Sequence, residues 1–164
     1  MLRVDHAGEH GAVAIYRGQE AVFARARPAM AAQLREMRDE EQKHLDAFDQ
    51  LLVGERVRPT LLMPLWNAAG TALGVATALM GERAAHACTD AVETVIEEHY
   101  AEQAREAELT RPDLARTFAE FREDELHHRD VAVAGGAREA PVSRALAGVI
   151  RLGCHAAIAV SRRV

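Results

Sequence analysis

Residues 40–46, EEQKHLD, and residues 124–130, DELHHRD, decide the fold of this 164-residue chain. Each holds a Glu-x-x-His motif, Glu41 with His44 and Glu125 with His128, and each motif follows an earlier glutamate, Glu9 or Glu93, by thirty-two residues. On a helix, residues three apart share a face, so each motif can grip one ion from one side. An offset of 84 residues also pairs Tyr16 with Tyr100, Gln19 with Gln103, Arg27-Pro28 with Arg111-Pro112, Arg38 with Arg122, and Asp46 with Asp130. A match that includes helix breakers and aromatics marks an internal repeat.

The repeat predicts two helical hairpins. A helix is expected from about residue 3 to 26, Pro28 suits the first turn of the next, and Gly54 is placed to end it. The second copy repeats the plan: a helix over 82–109, a break at Arg111-Pro112, and a helix ending at Gly135-Gly136. Glu9 lies nineteen residues before Pro28 and Glu41 thirteen after it. At about 1.5 Å per residue the two reach similar heights in an antiparallel hairpin once the turn takes up a few residues.

One domain, 1–164, is expected: a first hairpin over 1–54, an apolar crossover over 59–81, a second hairpin over 82–135 and an amphipathic tail over 141–164. The fold class is all-α, a ferritin-like four-helix bundle of two pseudo-repeat hairpins plus the crossover helix and a C-terminal amphipathic helix. Composition agrees, since 49% hydrophobic residues with only 4% aromatics favours helices over a β-sandwich. A net charge of −5 and the lack of a Lys/Arg block argue against nucleic acid as a partner.

Ferritin-like carboxylate proteins take one Glu from each of two helices and Glu-x-x-His from each of the others. The candidate metal ligands are therefore Glu9, Glu41, His44, Glu93, Glu125 and His128. Four carboxylates and two imidazoles form a hard O/N donor set that suits iron or manganese, with iron first. Two divalent ions neutralise the four glutamates, whose burial without counter-charge would cost many kcal/mol. The competing reading makes them solvated helix-face charges. Glu40 and Asp124, one residue ahead of Glu41 and Glu125, are candidates to accept a hydrogen bond from a ligand histidine, or else ordinary exposed acids. His6, His10, His86, His127 and His155 read as surface or core residues.

The stretch 59–81, PTLLMPLWNAAGTALGVATALMG, carries no charge and is long enough on paper to span a bilayer. Pro64 and Asn67 interrupt it and Gly70 and Gly74 loosen it, so an interfacial or groove-packed helix is expected, against a plain core crossover; the Gly70-x-x-x-Gly74 spacing is also a weak sign of close helix packing. Leu62, Leu65 and Trp66 are the candidate contacts with membrane or partner. The tail mixes Val149, Ile150, Leu152, Ile158 and Val160 with Arg144, Arg151, Arg162 and Arg163, as a segment resting on anionic lipid would. Cys88 and Cys154 lack Cys-x-x-Cys spacing and read as small buried residues of a reduced compartment. Acidic residues within ten positions of Met1 leave no room for a cleavable leader.

The strings RVDHAGEHGA (3–12), RVRPTLLMPLWNAAGTALGVATALMG (56–81), ACTDAVETVIEEHY (87–100) and FREDELHHRD (121–130) resemble the demethoxyubiquinone hydroxylases, the di-iron monooxygenases of ubiquinone biosynthesis. The resemblance covers nearly the whole chain. It implies two iron ions on the six residues above, His99 and Tyr100 near the quinone or its electron path, and insertion of one atom of O₂ into a ring C–H while the other leaves as water. It also implies NADH as the ultimate reductant, demethoxyubiquinone and O₂ as substrates, and a peripheral place at the cytoplasmic face of a bacterial inner membrane, while the Leu62, Leu65 and Trp66 region could meet an accessory lipid-binding protein as readily as lipid. Two rivals use the same residues differently: a ferritin- or rubrerythrin-like iron oxidase or peroxidase, and a metal-free, membrane-associated helical adaptor.

Overall fold

The computed structural model describes residues 1–139 and 141–163. Among them the chain is all-α, as expected: α1 (Leu2–Phe23), α2 (Pro28–Gly54), α3 (Met63–Leu79), α4 (Glu82–Ala107), α5 (Pro112–Ala134) and α6 (Pro141–Ser161). They form two compact units, Met1–Ala85 with His155–Val164, and His86–Cys154.

In the first unit α1 and α2 form the hairpin. Arg27, at φ −143° and ψ 68°, is held outside the helical region ahead of Pro28, which disfavours the helical conformation in the residue before it, and Pro28 then opens α2 with a φ already set for a helix. The core contains Leu34, Met37, Leu45, Phe48 and Leu52 from α2 with Ile15, Tyr16 and Phe23 from α1. Burying each large apolar side chain stabilises the fold by about 1.5–3 kcal/mol.

α3 lies directly against α1. A Cβ on Gly74 would collide with the Ile15 carbonyl oxygen, one on Gly70 would sit 2.8 Å from Gly11 O, and one on Gly18 would sit 2.7 Å from Thr71 O. Arg17 Nη2 fastens the seam from outside, donating to Asn67 Oδ1 at 3.0 Å and Thr71 Oγ1 at 3.3 Å. Buried Gln19 donates through Nε2 to Thr77 Oγ1 and Ala85 O. The expectation that Gly70 and Gly74 loosen the segment is thus reversed, and the close helix packing that the Gly70-x-x-x-Gly74 spacing weakly signalled is what these positions show. Pro64 falls in the first turn of α3, where its missing N–H costs nothing, and the glycines tighten the packing because they bring two backbones into contact. At 17 residues α3 is about 26 Å long, short of a bilayer's hydrocarbon core.

In the second unit α5 pairs with the stretch of α4 from His86 onward. Tyr100 is buried and stacks on Phe118, ring centroids 6.0 Å apart, with Phe121 tilted beside it at 6.2 Å. Arg122 donates through Nε and Nη2 to Glu97 Oε1 at 2.9 and 2.6 Å. Arg138, just past α5, clamps the buried carboxylate of Asp90.

Both hairpins end in the same capping pattern. After α2, Val57 N bonds Leu52 O and Arg56 N bonds Val53 O; after α5, Ala137 N bonds Ala132 O and Gly136 N bonds Val133 O. The left-handed residue is Gly136 (φ +89°) in one and Arg56 (φ +54°) in the other. Gly54, expected to end α2, is its last helical residue.

α6 leaves Val149, Leu152 and Val160 exposed. It is the one helix among the described residues long and apolar enough to cross a membrane, by length and composition alone.

Candidate metal centre

Each unit holds one triad. In the first, Glu9 comes from α1 and Glu41 with His44 from α2, all within the buried interior. One ligand atom from each lies within 4.8 Å of the others. His44 Nδ1 stands 3.8 Å from Glu9 Oε2 and 3.6 Å from Glu41 Oε2. In the second unit Glu93 from α4 joins Glu125 and His128 from α5 within the same 4.8 Å, and His128 Nδ1 lies 3.7 Å from Glu125 Oε2. All six residues are at most 2% exposed.

These spacings fit a shared ion. A nitrogen and an oxygen 3.6–3.8 Å apart are beyond hydrogen-bond length. Two donors each about 2.0–2.2 Å from one cation lie up to about 4.4 Å apart, so the observed separations fall within that reach. Two carboxylates and a neutral imidazole balance one divalent cation per triad, which offsets a burial cost that solvated surface charges would not meet. The reading of these glutamates as solvated face charges is overturned by their burial.

The other sequence-derived candidates are placed as follows. Glu40 is half-buried and Asp124 exposed. Tyr100 is buried, and His99 is half-buried, its Nε2 2.8 Å from Gln103 Nε2. The amide donates, so His99 accepts at Nε2 and carries its proton on Nδ1. Leu65 is exposed, while Leu62 and Trp66 are half-buried at the start of α3. Cys88 is buried as expected, and Cys154 is half-buried. Burial pushes the Cys154 thiol up to about 11, with the Glu93 carboxylate adding to the shift.

Two polar pairs escaped sequence reasoning. His6, buried on α1 one turn before Glu9, lies with Nε2 2.9 Å from Asp49 Oδ1 on α2. The edge of His10 meets the His6 ring at 4.9 Å, and burial followed by the neighbouring His6 lowers the pKa of His10. Asp90, three residues before Glu93, holds Arg138, whose guanidinium pKa is raised chiefly by that bond. The offset of 84 places His6 opposite Asp90, and this break in the repeat is the only sequence signal for either pair.

Comparison with known proteins gives one family, described as "Ubiquinone biosynthesis protein COQ7", matching residues 1–161. A 3-demethoxyubiquinol 3-hydroxylase of Rhodospirillum rubrum is 52% identical over 163 residues, 99% of this chain and 76% of the relative. The mitochondrial NADPH-dependent 3-demethoxyubiquinone 3-hydroxylase of Homo sapiens is 44% identical over 168 residues, 100% of this chain and 76% of the relative. The mitochondrial 5-demethoxyubiquinone hydroxylase of Saccharomyces cerevisiae is 39% identical over 179 residues, with 100% and 77% covered.

Proposed function

We propose, for a chain that belongs to the ubiquinone biosynthesis protein COQ7 family, that it is an O₂-dependent monooxygenase hydroxylating the ring of demethoxyubiquinone. The observation that carries this reading is the pair of buried Glu/Glu/His triads at repeat-related positions. The relatives' names supply the substrate class.

Glu9, Glu41, His44, Glu93, Glu125 and His128 are proposed to hold two iron ions in one ferritin-like domain comprising both hairpins. When bound, iron supplies the electron transfer that reduces O₂. The reaction balances as ring C–H + O₂ + NAD(P)H + H⁺ giving ring C–OH + H₂O + NAD(P)⁺. The glutamates and histidines hold and orient the ions; Glu40 and Asp124 are assigned the supporting hydrogen bonds to the ligand histidines. His99, presenting its Nδ1 proton, and Tyr100 are the residues assigned to the quinone or its electron path. The reductant is a reduced nicotinamide nucleotide: NADH by the resemblance, NADPH by the names of the mitochondrial relatives.

A polyprenyl quinone resides in lipid, so a peripheral position on a membrane surface, in a bacterium the cytoplasmic face of the inner membrane, follows from the substrate. The exposed apolar residues of α6 and Leu62, Leu65 and Trp66 at the start of α3 are the surfaces assigned to lipid or to an accessory lipid-binding protein.

The test is turnover of a short-tailed demethoxyubiquinone by the iron-loaded full chain under ¹⁸O₂, with product mass read after each nicotinamide nucleotide. One ¹⁸O per hydroxylated ring, lost in Glu93→Ala, is expected. Oxidation of the nucleotide or of free Fe(II) with no ring product would transfer the site to the iron oxidase or peroxidase reading.

A further inference from the structure

We propose that His6 and Asp49 form a proton-entry relay serving the Glu9, Glu41 and His44 layer, an inference that rests on the hydroxylase reading. The balanced reaction takes one proton from solvent beyond the hydride of the nicotinamide. The triad is closed to water, so that proton needs a route.

The His6–Asp49 pair has the form of such a route. The Asp49 side chain is 61% exposed and the His6 side chain 4%, so the 2.9 Å contact runs from solvent into the interior. His6 Nδ1, the nitrogen turned away from that contact, is buried and has no hydrogen-bond partner among the described residues. His6 stands one helical turn from Glu9 on α1, and Asp49 lies beyond Glu41 and His44 on α2. The pair therefore forms the adjacent layer of the same hairpin. Asp49 is the charged group that α2 sets against His6; α3, whose stretch carries no charged residue, sets none; Asp5 and His10 lie nearby on α1 itself.

Proton passage leaves every heavy-atom bond intact. A proton arriving on the Asp49 carboxylate passes to Nε2 of the Nδ1–H tautomer, and the imidazolium so formed releases its Nδ1 proton inward, where it ends in the water that the balanced reaction forms. Histidine is left as the Nε2–H form beside the Asp49 carboxylate; a swing of the side chain to solvent, where water takes the Nε2 proton and returns one to Nδ1 with no net proton moved, resets it. The second hairpin shows what a structural pair looks like at the same position. Asp90 there is clamped by Arg138, which keeps its proton at every working pH and can pass none.

The test uses the iron-loaded full chain with a short-tailed demethoxyubiquinone, NADPH or NADH, and O₂. His6→Gln and Asp49→Asn are expected to lower kcat about tenfold or more, leave KM for the quinone unchanged and raise the solvent deuterium isotope effect, with Asp49→Glu restoring the rate. Unchanged kcat and isotope effect in folded, iron-replete variants overturn the relay while leaving the hydroxylase reading intact. Should His6→Gln fail to fold, Asp49→Asn at the exposed end decides alone. A second readout does not depend on turnover: solvent exchange of the His6 ring proton, followed by ¹⁵N NMR in the full chain loaded with diamagnetic zinc. Exchange at least about tenfold slower in Asp49→Asn supports the relay, and equal rates overturn it. A wild-type chain with no hydroxylated product removes the hydroxylase reading itself, and the exchange measurement still reports on the path.

Discussion

Arg27 enters Pro28 at φ −143°, ψ 68°, and Arg111 enters Pro112 at φ −142°, ψ 70°, so the two hairpins repeat each other at the turn to within a few degrees. Their likeness ends a single helical turn before the first glutamate of each triad. The first hairpin answers a buried histidine with a solvent-facing carboxylate, and the second answers a buried carboxylate with a guanidinium. Their end caps differ likewise, Arg56 against Gly136 at the left-handed residue. The candidate ligand positions match between the halves, while the layers next to them differ in charge.

The largest test of that equivalence removes a ligand from each half. Glu41→Ala and Glu125→Ala are each expected to weaken iron binding more than about 100-fold, since even outer-layer changes around metals cost about 10–100-fold. Iron per chain after gel filtration checks it, and retention of iron by one variant would end the claim that the halves are equivalent. Gly74→Ala, which has no counterpart in the second hairpin, is expected to cost about 2 kcal/mol in urea unfolding because the Ile15 backbone cannot retreat cheaply.

Arg138→Met strands the Asp90 carboxylate, 4% exposed, and is expected to cost about 2 kcal/mol, less than a wholly buried pair because the guanidinium is 56% exposed. Asp49→Asn should cost under about 1 kcal/mol, and a larger loss would make the His6 pair structural after all. The smallest effect is expected at the cap: Arg56→Gly should raise stability by about 0.5–1 kcal/mol, by relieving the left-handed backbone that Gly136 already tolerates. Thermal melts that leave it unchanged would mean the two caps are energetically alike.

Helix order, the proline starts and the six candidate ligands were legible in the sequence because each is written locally, in a period, a breaker or a motif, and then written again 84 residues on. The α1–α3 seam was legible only faintly, in the Gly70-x-x-x-Gly74 spacing, since these glycines reveal their role only once Ile15 and Gly11 lie against them. The His6–Asp49 and Asp90–Arg138 pairs join residues 43 and 48 positions apart with no shared periodicity, and nothing local marks them.

The glycine seam carries a mechanical consequence. Side chains between helices act as springs, shifting rotamers to absorb a displacement, but where Gly74 meets the Ile15 carbonyl there is no such cushion. A push on the outer face of α3 therefore reaches the backbone of α1 undamped. Glu9 lies about two turns along that rod from Ile15.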